Sequence, residues 1–392
     1  MEAFADLKCT VPPELVDDFL AKLHYVSESL QDFELLPGER NRVRFNLLAG
    51  HEDHSPVVAA SIAEVAQKMC QAYRPNAAKV LVSKEGAGVY DLDPHPLLEA
   101  SGDLFKYGQG RFGLGPRLVE LVDFFDRRLM QVIGRFSAEP HQFPSLIGAD
   151  VLERCKYLRS FPHALTLVSH LREDLEAVQN FGRSARWDNG QLLCNQSDLS
   201  AIECLLAPAV CFHCFAWLQN SEQRASRAFT ALGKCFRYES GNLDGLERLW
   251  DFTMRELIFV GSQDYVLAQR QKAIDETVPL LDEWGLAYEI RSATDPFFIE
   301  EYTSATFQLA FDLKFEIRAD LPYKQKTLAV GSFNFHQDYF GRSLNINTNS
   351  GKAACTGCVG FGLERLVLAF FAQHGLDRRN WPDAVAREVA IS

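Results

Sequence analysis

Cys235-Phe236-Arg237-Tyr238-Glu239, the polar loop Ser240-Gly241-Asn242-Leu243-Asp244-Gly245, and Leu246-Glu247-Arg248-Leu249-Trp250-Asp251-Phe252-Thr253-Met254-Arg255-Glu256 form the stretch on which the fold turns. It reads as a strand, a glycine-containing loop and a returning strand. Such a hairpin can set an arginine fork and an aromatic face around a nucleotide, because a guanidinium binds two phosphate oxygens at once. Taken alone it also fits a surface hairpin held by ion pairs. A second stretch, Gly357-Cys358-Val359-Gly360-Phe361-Gly362-Leu363-Glu364-Arg365-Leu366-Val367-Leu368-Ala369-Phe370-Phe371, reads as a glycine-bearing strand running into an apolar helix with Arg365 in its first turn. Small residues let the backbone approach a ligand, and a helix start favours an anion.

Working outward, residues 116–133 form a long amphipathic helix, with Leu118, Val119, Val122, Phe125, Leu129 and Val132 at helical spacing. Residues 143–147, 164–168 and 205–210 read as strands. From Lys234 onward the order is strand, loop, strand, helix, three strands and helix. That order predicts an α+β fold, a mostly antiparallel sheet flanked by helices, and not a doubly wound parallel sheet. The first hundred residues read as a separate unit: a strand over 3–9, a helix over 14–25, a hairpin whose arms are 33–36 and 43–47, a helix from Pro56 to about 73, and a strand over 79–82. Strand, helix, two strands, helix, strand is the split βαβ, ferredoxin-like order. No catalytic cluster is visible there, so it is assigned no chemistry and reads as a packing or partner-docking domain, dispensable for catalysis. Boundaries fall at 1–100 and 110–392. Gly108, Gly110, Gly113 and Gly115 lack a leading strand and a following Lys-Ser/Thr, so they read as a linker or turn and not as a phosphate loop.

The chain has 392 residues, 47% hydrophobic and 23% charged, which excludes disorder as the main state. Forty basic and 52 acidic residues give −12, which argues against a generic basic nucleic-acid sleeve. No apolar run approaches a membrane span, and the start Met1-Glu2-Ala3-Phe4-Ala5-Asp6 lacks a basic and apolar leader. Ten scattered cysteines then suggest reduced thiols, some of them metal-bound, and a cytoplasmic location.

Together the two opening stretches resemble motifs 2 and 3 of class II aminoacyl-tRNA synthetases. The resemblance implies that Arg237, Glu239, Arg248, Leu249, Phe252 and Arg365 form the ATP site, with Phe252 stacking on adenine. It also implies that Glu316 helps hold Mg²⁺ and that Ser332 contacts the nucleotide. Motif 1 would be the helix from Pro116 and the strand reaching Pro144, which implies a homodimer. Leu205-Leu206-Ala207-Pro208-Ala209-Val210-Cys211-Phe212-His213-Cys214 carries Cys211 where seryl-type enzymes have the glutamate of a Thr-x-Glu. This is similar to the zinc-dependent methanogen-type seryl enzymes, and closer to their truncated bacterial relatives, the amino acid:carrier protein ligases. Phe143-Pro144-Ser145-Leu146-Ile147, Leu152-Glu153-Arg154-Cys155, Phe161-Pro162-His163, Ser332-Phe333-Asn334-Phe335-His336-Gln337-Asp338-Tyr339-Phe340-Gly341 and Ala354-Cys355-Thr356-Gly357-Cys358 carry the same resemblance, which spans about residues 110–378.

Read on spacing alone, Cys211-x-x-Cys214 and Cys355-x-x-Cys358 suggest a closed four-cysteine zinc site. The family resemblance selects Cys211, Glu256 and Cys358 instead, which leaves a fourth position open for the amine of an amino acid. It further implies ATP-dependent activation of a small amino acid as its adenylate, then transfer to the phosphopantetheine thiol of a carrier protein. Arg183, Arg186, Arg224 and Arg227 are candidates for docking that acidic partner. His213 and His336 read as core or loop histidines, or as supports of the metal site. No seryl-type heptad arm or basic tail is seen, so no tRNA partner is expected. The rival readings are an atypical tRNA-charging enzyme, which would need a basic groove, and a catalytically silent regulatory paralogue, which would have lost the arginines or the metal ligands.

Overall fold

The computed structural model describes residues 2–73, 78–86, 90–295, 304, 308 and 311–389. Its centre is an eight-stranded sheet in the order Val80–Lys84, Tyr288–Ser292, Lys314–Leu321, Lys326–Phe335, Cys355–Gly362, Asp251–Gly261, Arg227–Phe236 and Glu139–His141. Neighbours run antiparallel except the last pair, in which Glu139–His141 lies parallel to Arg227–Phe236. This is the antiparallel α+β architecture read from the sequence. Among the described residues four strands of this sheet, not three, lie between the helices Gln263–Glu283 and Leu363–His374.

Strand alternation sorts the side chains into two layers. Leu257, Phe259, Val359 and Phe361 join the helices Pro116–Ile133, Gln263–Glu283 and Leu363–His374 in the main core. There the Phe125 ring lies 4.6 Å from Trp284 and 5.8 Å from Phe370. The helix over 116–133 is the one its apolar spacing predicts. Ile258, Val260 and Cys358 point the other way and pack with Ile147, Leu205, Phe212, Phe215 and Phe340. Arg255 and Asp126 tie the first of these helices to the sheet through two hydrogen bonds of 2.7 and 2.8 Å.

The strands predicted over 143–147, 164–168 and 205–210 are shorter than their apolar runs. They form a small antiparallel sheet ordered Leu146–Gly148, Cys204–Leu206, Leu167–Val168. Pro208 has no N–H to continue a ladder, and the chain turns at Val210 into the helix Cys211–Trp217.

The N-terminal residues build a three-stranded sheet, Glu2–Asp6, Arg42–Leu47 and Leu30–Leu35, under the helices Val16–Leu23 and Ser55–Ala72. Phe19, Leu23, Phe45, Ile62 and Met69 fill its core. The fourth strand of the ferredoxin-like order does form, but elsewhere. Val80–Lys84 pairs with Tyr288–Ser292 of the large sheet, and Leu81 and Val82 pack on the main core. The glycines over 108–115 belong to the hairpin Leu104–Gly108 and Arg111–Leu114. Gly110, at φ +64°, accepts from the Trp250 N–H at 2.9 Å, so this turn seats the opening hairpin. Among the described residues no helix is long and apolar enough to cross a membrane.

Candidate active site

Glu256 and Cys358 lie on neighbouring antiparallel strands, and Cys211 opens the helix that packs over them. One donor atom from each falls within 4.8 Å of the others, and all three side chains are buried. Glu256 is 1% exposed. Its two carboxylate oxygens accept from the N–H groups of Val210 and Cys211, each at 3.0 Å, so the carboxylate also caps the helix. Among the described residues no basic side chain is ion-paired with it. Burial, reinforced by the Cys358 sulfur, pushes its titration up to about 8. The Cys211 thiol donates to Cys358, which pushes Cys211 well above the ordinary thiol range and holds Cys358 well below it. A buried carboxyl between two sulfurs either keeps its proton or shares a cation. Two sulfurs and one oxygen suit a tetrahedral zinc ion with one position left over.

The closed four-cysteine arrangement does not form among the described residues. Cys355 and Cys358 are three apart on one strand and so point to opposite faces. Cys214 is fully buried in the smaller core. His336 does reach the site, with Nε2 3.7 Å from the Cys358 sulfur and Nδ1 3.2 Å from Thr356 Oγ1. Asn334 Nδ2 lies 3.4 Å from the same sulfur. His213 instead stacks on Phe143, with ring centroids 5.7 Å apart.

The arginines gather further along the same strands. Arg237 follows the strand Arg227–Phe236 and donates through Nε to the Pro208 carbonyl at 3.0 Å, with its guanidinium 5.4 Å from the Phe252 ring. Arg365, in the first turn of the helix Leu363–His374, donates to the carbonyls of Glu247 at 2.6 Å and Ala329 at 3.1 Å. Burial pushes Arg365 down to about 10, with Arg248 and Arg237 adding to the fall and Glu239 opposing it. Glu239 hydrogen-bonds to Arg248. Three guanidiniums bear on one carboxylate, an excess of positive charge suited to a polyphosphate.

Glu316 and Ser332 face each other across paired strands. Glu316 already binds Lys314 at 3.1 Å and Arg318 at 3.0 Å. Lys314 is buried between Glu316 and Asp295, at 2.7 Å from the latter. Asp295 is held down to about 2, as Lys314 and neighbouring donors outweigh burial. Leu249 places its side chain in the main core. Arg227 is bidentate to Glu139, so it is not a spare docking cation.

Two residues that the sequence reading passes over brace the site. Glu364 is buried and accepts from the Thr253 N–H at 2.9 and 2.8 Å and from its hydroxyl at 2.7 Å, which pins the returning strand to the helix of Arg365. Gly360 leaves room that a Cβ would take from Met254 Cε, 2.6 Å away. Glu364 stands one residue from Arg365, and that adjacency is the only signal that could have found it.

Residues 202–374 match the tRNA synthetase class II core domain (G, H, P, S and T). Amino acid–acyl-carrier-protein ligase 2 of Bradyrhizobium diazoefficiens is 33% identical over 308 residues, which cover 75% of this chain and 89% of that one. The chain belongs to the amino acid–acyl-carrier-protein ligase family. This ligase is also 26% identical to type-2 serine–tRNA ligase of Methanococcus maripaludis, over 76% of its own length and 60% of that enzyme's. Among solved structures, the ligase superposes on Methanopyrus kandleri seryl-tRNA synthetase, crystallised with Aquifex aeolicus tRNASec, at a TM-score of 0.72 and 21% identity. That match covers 99% of the ligase and 77% of the synthetase chain, and it shows the shared class II fold.

Proposed function

We propose that the ligase activates a small amino acid with ATP and passes it to the phosphopantetheine thiol of a carrier protein. The observation that carries this reading is the buried trio Cys211, Glu256 and Cys358: the Cys358 strand runs on into the helix of Arg365, and the Glu256 strand pairs with the one that Arg237 follows. Phe252 and Glu256 are four residues apart on one face of one strand, about 13 Å at the usual rise. That separation suits an adenylate with adenine at Phe252 and the amino acid near Glu256.

In the first step the amino acid carboxylate oxygen attacks the α-phosphorus of ATP in line. The bond from the α-phosphorus to the bridging oxygen breaks, and pyrophosphate leaves with that electron pair. The chemistry needs positioning and charge neutralisation more than a protein nucleophile. Arg237 is anchored by Nε, which leaves its terminal nitrogens to steady the α-phosphate. Arg365, fixed by two carbonyls, would steady the γ-phosphate, and Glu316 and Ser332 on paired strands would help hold Mg²⁺ and the nucleotide. Zinc bound by Cys211, Glu256 and Cys358 would take the amino group as a neutral amine, selecting amino acids over hydroxy or acyl acids. In the second step the carrier thiol attacks the adenylate carbonyl, forming the thioester and releasing AMP.

Amino-acid-dependent exchange of pyrophosphate into ATP tests the first step on zinc-loaded protein. Exchange with one or a few small amino acids is expected. Exchange followed by transfer to tRNA and not to a carrier protein would favour the tRNA-charging reading. Folded protein inactive with every amino acid would favour the regulatory one.

A homodimer is proposed as well, built on the helix Pro116–Ile133 and the short outer strand Glu139–His141. Its support is the motif 1 resemblance and the position of that strand at the sheet's end. Light scattering is expected to give twice the chain mass, and a monomer would remove the proposal.

A further inference from the structure

The N-terminal helix Val16–Leu23 ends against the loop of the ATP hairpin. Asn242 Nδ2 donates to the Ala21 carbonyl at 3.1 Å, across 221 residues of sequence. The ring of His24 lies so close over Gly241 that a Cβ there would stand 2.3 Å from Nδ1. The Tyr25 ring meets the edge of His163, with centroids 5.1 Å apart, and Ala164, the next residue, accepts from the Tyr238 N–H at 3.1 Å. From the other side, Gln109 Nε2 donates to the Ser240 carbonyl at 2.9 Å. Three consecutive loop residues, Ser240, Gly241 and Asn242, are thus held from two directions, two of them by the N-terminal domain.

One charge belongs to this contact. Lys22 is 3% exposed, although it sits in the last turn of an eight-residue helix. Its ammonium lies 3.7 Å from Asp18 one turn back.

We infer that the N-terminal domain is part of the nucleotide site: the end of its first helix clamps the loop over 240–242, with Ala21 and His24 as the residues that hold it. The inference rests on the adenylation reading for its kinetic half only, since the clamp itself is a matter of loop mobility. It runs counter to the expectation that this domain is dispensable for catalysis.

The test uses the full chain with His24→Ala and Asn242→Ala, each checked by a thermal melt. Hydrogen exchange of the loop peptide, measured without nucleotide, reads the clamp. Severalfold faster exchange is expected in both variants. An unchanged loop in both overturns the clamp. Pyrophosphate exchange reads the role in ATP binding. His24→Ala is expected to raise the KM for ATP severalfold while the KM for the amino acid holds. A loosened loop with an unchanged KM for ATP overturns the link to the nucleotide site. A wild-type chain that exchanges with no amino acid sinks the adenylation reading, while the loop measurement still decides the clamp.

Discussion

Replacing Arg365 with alanine is expected to lower amino-acid-dependent ATP–pyrophosphate exchange by about three orders of magnitude. The structure explains why so much rests on one residue. Two backbone carbonyls hold the guanidinium at the start of its helix, so its position is prepared before substrate arrives. Burial and two neighbouring arginines make its charge costly without an anion, a cost that a bound polyphosphate would relieve. The helix itself should survive, because Leu363, Leu366 and Phe370 carry its packing. A folded Arg365→Ala protein with full exchange would remove the motif 3 assignment.

Cys211→Ala is expected to lose bound zinc, measured by elemental analysis, with affinity falling by more than about a hundredfold. Pyrophosphate exchange should vanish with the metal, while ATP binding persists, since the arginines stand on other residues. The substitution removes one of three donors and leaves Glu256 and Cys358 buried without a shared cation. Zinc content equal to wild type would show that other ligands hold the ion. Cys214→Ala makes the contrast, because its sulfur lies in the smaller core and outside the trio.

The strands and helix that carry the candidate site were legible in the sequence because their signals are local. Arg237, Phe252, Glu256, Cys358 and Arg365 each sit in a short run whose strand or helix character is written in the adjoining residues. The main helix over 116–133 was equally plain, its apolar spacing matching the observed bounds. Long-range pairing was not legible. Leu81 and Val82 would suit either sheet, and nothing in the run 79–82 names Tyr288–Ser292 as its partner. The clamp on the loop escaped for a related reason: nothing near Ala21 or His24 names a loop more than 200 residues away as their partner. The buried pair of Lys314 with Asp295, 19 residues off, has no local sign either. The spacing of Cys355 and Cys358 misled in a different way: a C-x-x-C suits a turn, whereas on a strand it splits the pair between two faces.

The strand Val80–Lys84 also decides how the large sheet ends. Without it, Tyr288–Ser292 would present a row of unpaired backbone groups along a largely buried strand, a template for pairing with another chain. The N-terminal segment covers that row with a five-residue strand of its own. The new rim is short and charged, for Lys79 and Lys84 flank it and reach Asp312 at 2.8 Å and Asp282 at 3.1 Å. Protection against edge-to-edge aggregation is therefore borrowed from outside the catalytic sheet, so a fragment cut after residue 84 carries an exposed seam that the intact chain keeps closed.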